Sequence, residues 1–305
     1  MEELRKLEQK IFEGYQVGQG DVRFLMEADL EHLKQAACEI RRHYSGRELL
    51  FCGSIVCPYG REIDVEEIRK EGLQLVSHGA RRADLDMRHN PLDQRQVDAL
   101  CEACRWLTRN TGLDTSLSHA RLTQEQFCQL RQAGLKRYHE FIGVCRSRFD
   151  KLASRFLRLS YDEKIEVLKS AKRAGLEITS GGFVDVGETT EECNELVLES
   201  RDMGIAGLLI RSPEWIWNVP SSRLREWNPS VPLEDFMRRM AIARFIMPKV
   251  VLVVDWGVRA KLPEYTRRLL ESGANGIMTG LDAEAFGVTY EDDLDIVREM
   301  GFVIA

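Results

Sequence analysis

The sequence has no long apolar run. No stretch approaches the roughly 18 consecutive apolar residues that a membrane-spanning helix needs, so a bilayer is not an expected partner. A basic excess is also missing. Lys and Arg number 43 against 49 Asp and Glu, giving a net charge of −6. A nucleic-acid footprint would need a basic field, so that class is excluded as well. The first residues, Met1 to Lys10, are charged throughout and lack an apolar signal region, which makes the cytoplasm the expected location. Proline is sparse, at 8 of 305 residues, and no low-complexity linker interrupts the chain. The eight cysteines are Cys38, Cys52, Cys57, Cys101, Cys104, Cys128, Cys145 and Cys193. Without an export signal they read as thiols or metal ligands rather than a disulfide framework.

What the chain does have is alternation. With 44% apolar and 30% charged residues there is material for one large core and a solvated surface. Two helices are expected at the start, the second from Asp29 to about Tyr44 with Leu30, Leu33, Ala37 and Ile40 at helical spacing. Short apolar runs follow at Glu48–Val56, Leu73–His78, Asp114–Ser118, Tyr138–Ile142, Glu177–Ser180, Ala206–Ile210, Val250–Val254 and Gly276–Thr279. Capping-box pairs, in which side chains satisfy the orphan amides of a helix start, appear at Thr123/Gln126, Ser160/Glu163 and Thr189/Glu192. Gly72, Gly134, Gly175 and Gly204 stand where helices would exit in the left-handed conformation. Eight strands separated by helices predict an α/β fold, a (β/α)8 TIM-type barrel, which needs about 250 residues. Residues 1–46 form the expected N-terminal helical extension, plugging or flanking the barrel bottom, and 47–305 the barrel.

Barrels of this kind place their chemistry at the C-terminal ends of the strands. The most informative such segment is Ser180-Gly181-Gly182 through Gly187-Glu188-Thr189. Its glycines permit close backbone approach to a ligand, and the helix that follows offers free amides to an anion or carboxylate. A tight strand-to-helix turn has an equal claim on the same residues.

Here the chain resembles a known family. Ala174–Glu192 looks like the fifth βα unit of biotin synthase, and Met240–Gly257 with Glu271–Phe302 looks like its last two units. Leu130–Val144 and Leu159–Leu176 fit the units between. The resemblance runs continuously from Asp114 to the end and more loosely over Leu30–Leu85. It is to the biotin synthase-like branch of the radical S-adenosylmethionine superfamily, which includes methylornithine synthase and the radical enzymes of hydrogenase-cofactor assembly.

The resemblance implies a [4Fe–4S] cluster held by three cysteines after the first strand, spaced Cys-x3-Cys-x-aromatic-Cys, with S-adenosylmethionine bound to it. Thiolates suit that task because they stabilise the irons and tune their potential. In this chain Cys57 matches the second cysteine and Tyr59 the aromatic residue. Gly53 and Gly60 stand where the other cysteines belong, and Cys52 is one residue out of register. Two thiolates cannot supply three ligands, so the motif is degenerate and the cluster is doubtful. Only about a dozen residues separate Gly60 from the expected second strand, a second sign of loss. S-adenosylmethionine remains a candidate ligand for Tyr59, Gly79, Ser180, Gly181, Gly182, Gly187 and Glu188. The sulfur-donating second cluster of biotin synthase would fall on Ser77, Ser116, Thr179 and Val253, and its substrate contacts on Phe141 and Gly143. None of the residues that biotin synthase needs there is present.

Other constellations have bland alternatives. Cys101 and Cys104 form a Cys-x2-Cys pair, but they share an apolar helical stripe with Val97, Leu100 and Leu107 and read first as core. His78 and His119, at neighbouring strand ends, with Glu140, could ligate a metal or share protons, or simply form a hydrogen-bonded network. Asp255 and Arg259 could bind a polar ligand or bridge each other. Trp215, Trp217 and Trp227 suggest a lid or a partner surface. Arg81, Arg82 and Arg88 could meet phosphate or carboxylate, or only solvent.

Three functions follow from these readings. The first is a barrel that has lost the standard cluster site and binds a small ligand in its mouth, or a catalytic partner protein or second copy, during cofactor biosynthesis. The second is an active radical enzyme ligating a cluster through Cys52, Cys57 and a third group. The third is a non-radical metal or acid–base enzyme using His78, His119 and Glu140, with Asp255 a further candidate.

Overall fold

The computed structural model describes residues 2–57, 62–87, 92–149, 159–183, 186–211, 232–255, 259, 263–279 and 288–305. Three helices come first: α1 (Glu2–Phe12), α2 (Gln19–Glu27) and α3 (Leu30–Ser45). Each carries an apolar stripe, such as Leu33, Ala37 and Ile40 on α3, all fully buried. Then strands and helices alternate: β1 (Glu48–Val56), α4 (Val65–Ser77), β2 (Arg82–Asp86), α5 (Gln94–Asn110), β3 (Asp114–Ser118), α6 (Gln124–Gln132) and β4 (Arg137–His139). They continue with α7 (Tyr161–Arg173), β5 (Glu177–Phe183), α8 (Thr190–Met203), β6 (Gly207–Arg211), α9 (Leu233–Ile246), β7 (Val251–Val254), α10 (Pro263–Leu270), β8 (Gly276–Thr279), α11 (Tyr290–Met300) and β9 (Val303–Ile304).

Strands β1 to β8 are parallel and follow one another in space, and β1 pairs with both β8 and β2, so the sheet closes into an eight-stranded (β/α)8 barrel. The short β9 pairs with the start of β1, Glu48 opposite Val303, at the N-terminal end of the barrel. The three opening helices lie along the outer helices: α3 packs on α9 and α1 on α3. Arg238 on α9 donates to the Ala28 carbonyl at 2.7 Å, and Tyr44 to that of Ile11 at 2.8 Å.

The three expected capping boxes are formed, starting α6, α7 and α8, and further ones at Asp93 and Thr289 start α5 and α11. Gly134, Gly175 and Gly204 follow their helices with positive φ, whereas Gly72 sits inside α4 under Leu107.

One strand differs from its expected place. Leu73–His78 belongs to α4, and the second strand is Arg82–Asp86. Along β2, Ala83 and Leu85 are buried against the helices while Arg82, Asp84 and Asp86 line the lumen. A strand with its polar face inward offers no apolar run to read; the run nearby is the last turn of α4, where Leu75 is buried and Leu73 exposed. This shift leaves 21 residues, 61–81, between Gly60 and β2. The expectation of a shortened loop after β1 is therefore withdrawn.

Candidate functional site in the barrel lumen

The two-residue period of each strand decides what enters the lumen. The cavity is lined by Cys52 and Ser54 from β1, Arg82, Asp84 and Asp86 from β2, Ser116 from β3 and Arg137 and His139 from β4. Thr179 of β5, Leu209 and Arg211 of β6, Val251 and Val253 of β7 and Met278 of β8 complete it. The lumen is thus two-sided. Its β2–β5 wall carries carboxylates, hydroxyls and imidazole; its β6–β8 wall is mostly apolar.

On the polar wall, the Asp84 carboxylate accepts from the Ser116 hydroxyl at 2.6 Å and the Ser118 hydroxyl at 2.5 Å. Burial raises its pKa, and the two serine hydroxyls oppose that rise. Two residues further on, Asp86 faces His119, with Nδ1 3.0 Å from Oδ1 and both groups buried. His119 has φ 53°, in the left-handed region that non-glycine residues seldom occupy. Such strain persists only where the surroundings over-determine it, and it clusters at functional sites. Edge-on to His119, at 5.7 Å between centroids, lies His139. Its Nδ1 is 3.1 Å from the Thr179 hydroxyl, and its buried Nε2 has no hydrogen-bond partner among the described residues. Burial, aided by His119 and Arg211, holds the His139 pKa well below its usual value, so the ring is neutral. At the C-terminal ends of β6 and β7, Arg211 Nε lies 3.5 Å from Asp255 Oδ2, both buried, with the guanidinium over the Phe141 ring. This arrangement can bind a polar ligand and move protons at its imidazoles and carboxylates.

The expected site residues divide. His119 and Asp255 stand at strand ends facing the lumen side. Asp255 meets Arg211, a residue not singled out from sequence, whereas Arg259 pairs with Asp293 and donates to the Met278 carbonyl at 2.5 Å. His78 follows α4 at the N-terminal end of the barrel and stacks on Tyr290 at 4.8 Å; Gly79 lies beside it with φ 74°. Both are therefore corrected: they precede β2 and do not reach the mouth. Glu140 is corrected as well. As the neighbour of a lumen-facing His139 it points outward, where Lys164 of α7 donates to it at 2.9 Å and Tyr138 at 3.2 Å. The triad of His78, His119 and Glu140 does not assemble.

In the glycine segment, the Ser180 hydroxyl donates to the Glu140 carbonyl at 2.9 Å and ties β5 to β4. A side chain at Gly181 would run into the Phe141 ring and the Leu209 carbonyl, and one at Gly182 into Leu196. Gly187 has φ 76°, and Glu188 is buried in an ion pair with Arg239 of α9. Each residue thus has a packing role. Cys101 and Cys104 are buried in the core on α5. Tyr59 and Gly60, like Arg88 and Trp215, Trp217 and Trp227, lie outside the described residues.

Cys52 and Cys57 are an odd number of residues apart and face opposite ways. Cys52 opens to the lumen; Cys57 lines a crevice with Glu62, Asp64, Glu67 and Glu71, between β1 and α4. Burial pushes the Cys52 thiol up to about 11. Burial, then Asp86, Glu71 and Glu67, pushes Cys57 up to about 12. Gly53 leaves room for Leu75 of α4. A cage for four irons needs thiolates converging from one side, and these described residues do not fit one. Ser77 ends α4 and is not a lumen position; the β2 residue in register with Ser116 is Asp84. Asp84, Ser116, Thr179 and Val253 therefore ring the lumen where the resemblance puts a second cluster.

No protein-family model matches the chain. A biotin synthase of Brachyspira hyodysenteriae is 28% identical, covering 99% of this chain and 95% of its own. One of Clostridium botulinum is 26% identical over 100% of both. Over its whole length the chain resembles the biotin synthase-like branch of the radical S-adenosylmethionine superfamily. Among solved structures, methylornithine synthase (PylB) superposes with a TM-score of 0.75 at 18% identity, over 98% of this chain and 97% of that one. The hydrogenase maturase HydG gives 0.77 at 14%, over 100% and 75%. At such identities these two speak for the fold alone. Over that length the chain keeps the closed eight-stranded barrel. Among the described residues no helix is long and apolar enough to cross a membrane.

Proposed function

We propose that this protein binds a small polar ligand in its barrel lumen during cofactor biosynthesis, and does so without the three-thiolate [4Fe–4S] site of that branch. The observation carrying this reading is the divergence of Cys52, which opens to the lumen, and Cys57, which lines the crevice between β1 and α4. The Asp86–His119 and Arg211–Asp255 pairs supply the polar contacts. The ligand class implied by the resemblance is S-adenosylmethionine, and the protein works in the cytoplasm, alone, as a homodimer or with a catalytic partner.

The test is anaerobic purification without a metal-binding tag, followed by iron and sulfide analysis and mass spectrometry of released small molecules. Colourless protein with substoichiometric iron is expected after reconstitution. Brown protein with stoichiometric iron and sulfide would overturn the reading.

The end-to-end coverage by biotin synthases favours a second reading, an active radical enzyme with unusual ligation. It requires an adenosyl radical, so 5′-deoxyadenosine must form under strong reductant and disappear in Cys57→Ala.

A further inference from the structure

Two arginines share the N-terminal floor of the lumen, on the side of the barrel away from the strand ends where chemistry is sought. Arg82 opens β2 and Arg137 opens β4; both line the cavity, with Cys52 in register opposite Arg82 and Ser116 opposite Arg137. Arg137 is only 7% exposed. It spends Nη2 on Asp114 at 3.0 Å and Nε on Glu177 at 2.8 Å, and its buried Nη1 has no hydrogen-bond partner among the described residues. Arg82 is half-buried and makes no hydrogen bond among them; burial lowers its pKa, and the neighbouring Arg137 charge adds to that, against Cys52, Glu177 and Asp114.

Guanidinium groups are donors only, so unsatisfied N–H groups in a cavity require an acceptor. The side-chain oxygens nearby are weak partners for a cation: the Ser116 hydroxyl gives its proton to Asp84 and the Thr179 hydroxyl pairs with His139, which leaves only neutral lone pairs. Asp114 and Glu177 hold the outer edge of Arg137 and are themselves 47% and 57% exposed. The rest of the floor, Gly207, Val251 and Met278, offers no side-chain oxygen. Charged donors and a planar fork suit a carboxylate, which can accept two parallel bonds.

We propose that the Arg82–Arg137 floor is a carboxylate-binding site. The carboxylate is either a free small anion or the tail of the lumen ligand. In the second case its distance from the mouth is set by β2: Arg82 to Asp86 spans four residues, about 13 Å at the usual strand rise. An aliphatic stem of that length would run along Leu209, Val253 and Met278 and bring its far end to Asp86 and His119. The tail assignment rests on the lumen-ligand reading above; the anion site itself does not, and neither depends on iron content.

The experiment is calorimetric titration of the full-length protein with acetate and with glutarate, against chloride at matched ionic strength. Saturable carboxylate binding is expected in wild type, weakened at least tenfold in Arg82→Met and unchanged in Arg268→Met, an exposed control. Glutarate binding more tightly than acetate favours the tail, and equal binding favours a free anion. If Arg82→Met does not fold by circular dichroism, Arg82→Lys carries the test. Lysine keeps the charge but loses the fork, so several-fold weaker binding is expected. Absence of saturation, an equal response in the arginine variant and the control, or tighter binding of inorganic phosphate than of either carboxylate would overturn the proposal.

Discussion

Replacing Glu140 by Gln separates a packing role from a chemical one. Glu140 and Lys164 are 1% and 3% exposed at their side chains, joined at 2.9 Å, with Tyr138 donating to the second carboxylate oxygen. Glutamine keeps the shape and can still accept from Tyr138. It removes the negative charge and leaves the Lys164 ammonium buried with only the Phe141 carbonyl as a described partner. Breaking a buried pair from one side costs about 3–5 kcal/mol. For a chain of 305 residues the unfolding entropy is about 0.6 kcal/mol/K, so the melting temperature should fall by on the order of 5–8 °C. The assay is thermal unfolding of wild type, Glu140→Gln and Glu140→Gln/Lys164→Met. The double variant removes both charges and should recover most of the loss. A single variant as stable as wild type, yet unable to bind the lumen ligand, would refute the structural assignment and return Glu140 to the chemistry.

Three further outcomes follow from buried groups. His139 is held neutral, so the unfolded chain binds a proton that the folded one refuses. Its contribution is present above the unfolded pKa near 6.5 and lost as pH falls, and His139→Gln should flatten the loss of stability between about pH 6.5 and 5 in urea titrations. Asp84, whose pKa is raised, acts in the opposite sense and remains in both proteins, so the comparison isolates the imidazole. Cys57, pushed up to about 12, should resist iodoacetamide at pH 8 and be labelled at pH 8 only after unfolding, as peptide mass spectrometry would show. Arg244 is fully buried and donates to the carbonyls of Gly273, Pro248 and Val250 and to Asn275; with no acidic partner described, its pKa falls to about 9. Arg244→Met should cost about 3 kcal/mol or more, read as a fall in the denaturation midpoint, because those carbonyls lose charged donors.

The sequence by itself determined the barrel, because its determinants are local. Strands such as Val251–Val254 and Gly276–Thr279 are short apolar runs, and helix starts such as Thr189 carry their own caps. It also put only Cys52 and Cys57 in and after the first strand, short of the three-cysteine spacing that the resemblance implies. It misplaced β2, because in Arg82–Asp86 the polar residues face inward and only Ala83 and Leu85 meet the core. That error moved His78 and Gly79 to the wrong end of the barrel. Tertiary structure alone decided which face each candidate presents. Glu140 and His139 are adjacent in sequence, yet one enters the space under α7 and the other the lumen, since successive side chains of a strand point to opposite sides. The partnerships of Arg211 with Asp255 and of Asp86 with His119 join separate strands, and closure of the sheet brings them together. No local pattern encodes a contact made across a closed barrel.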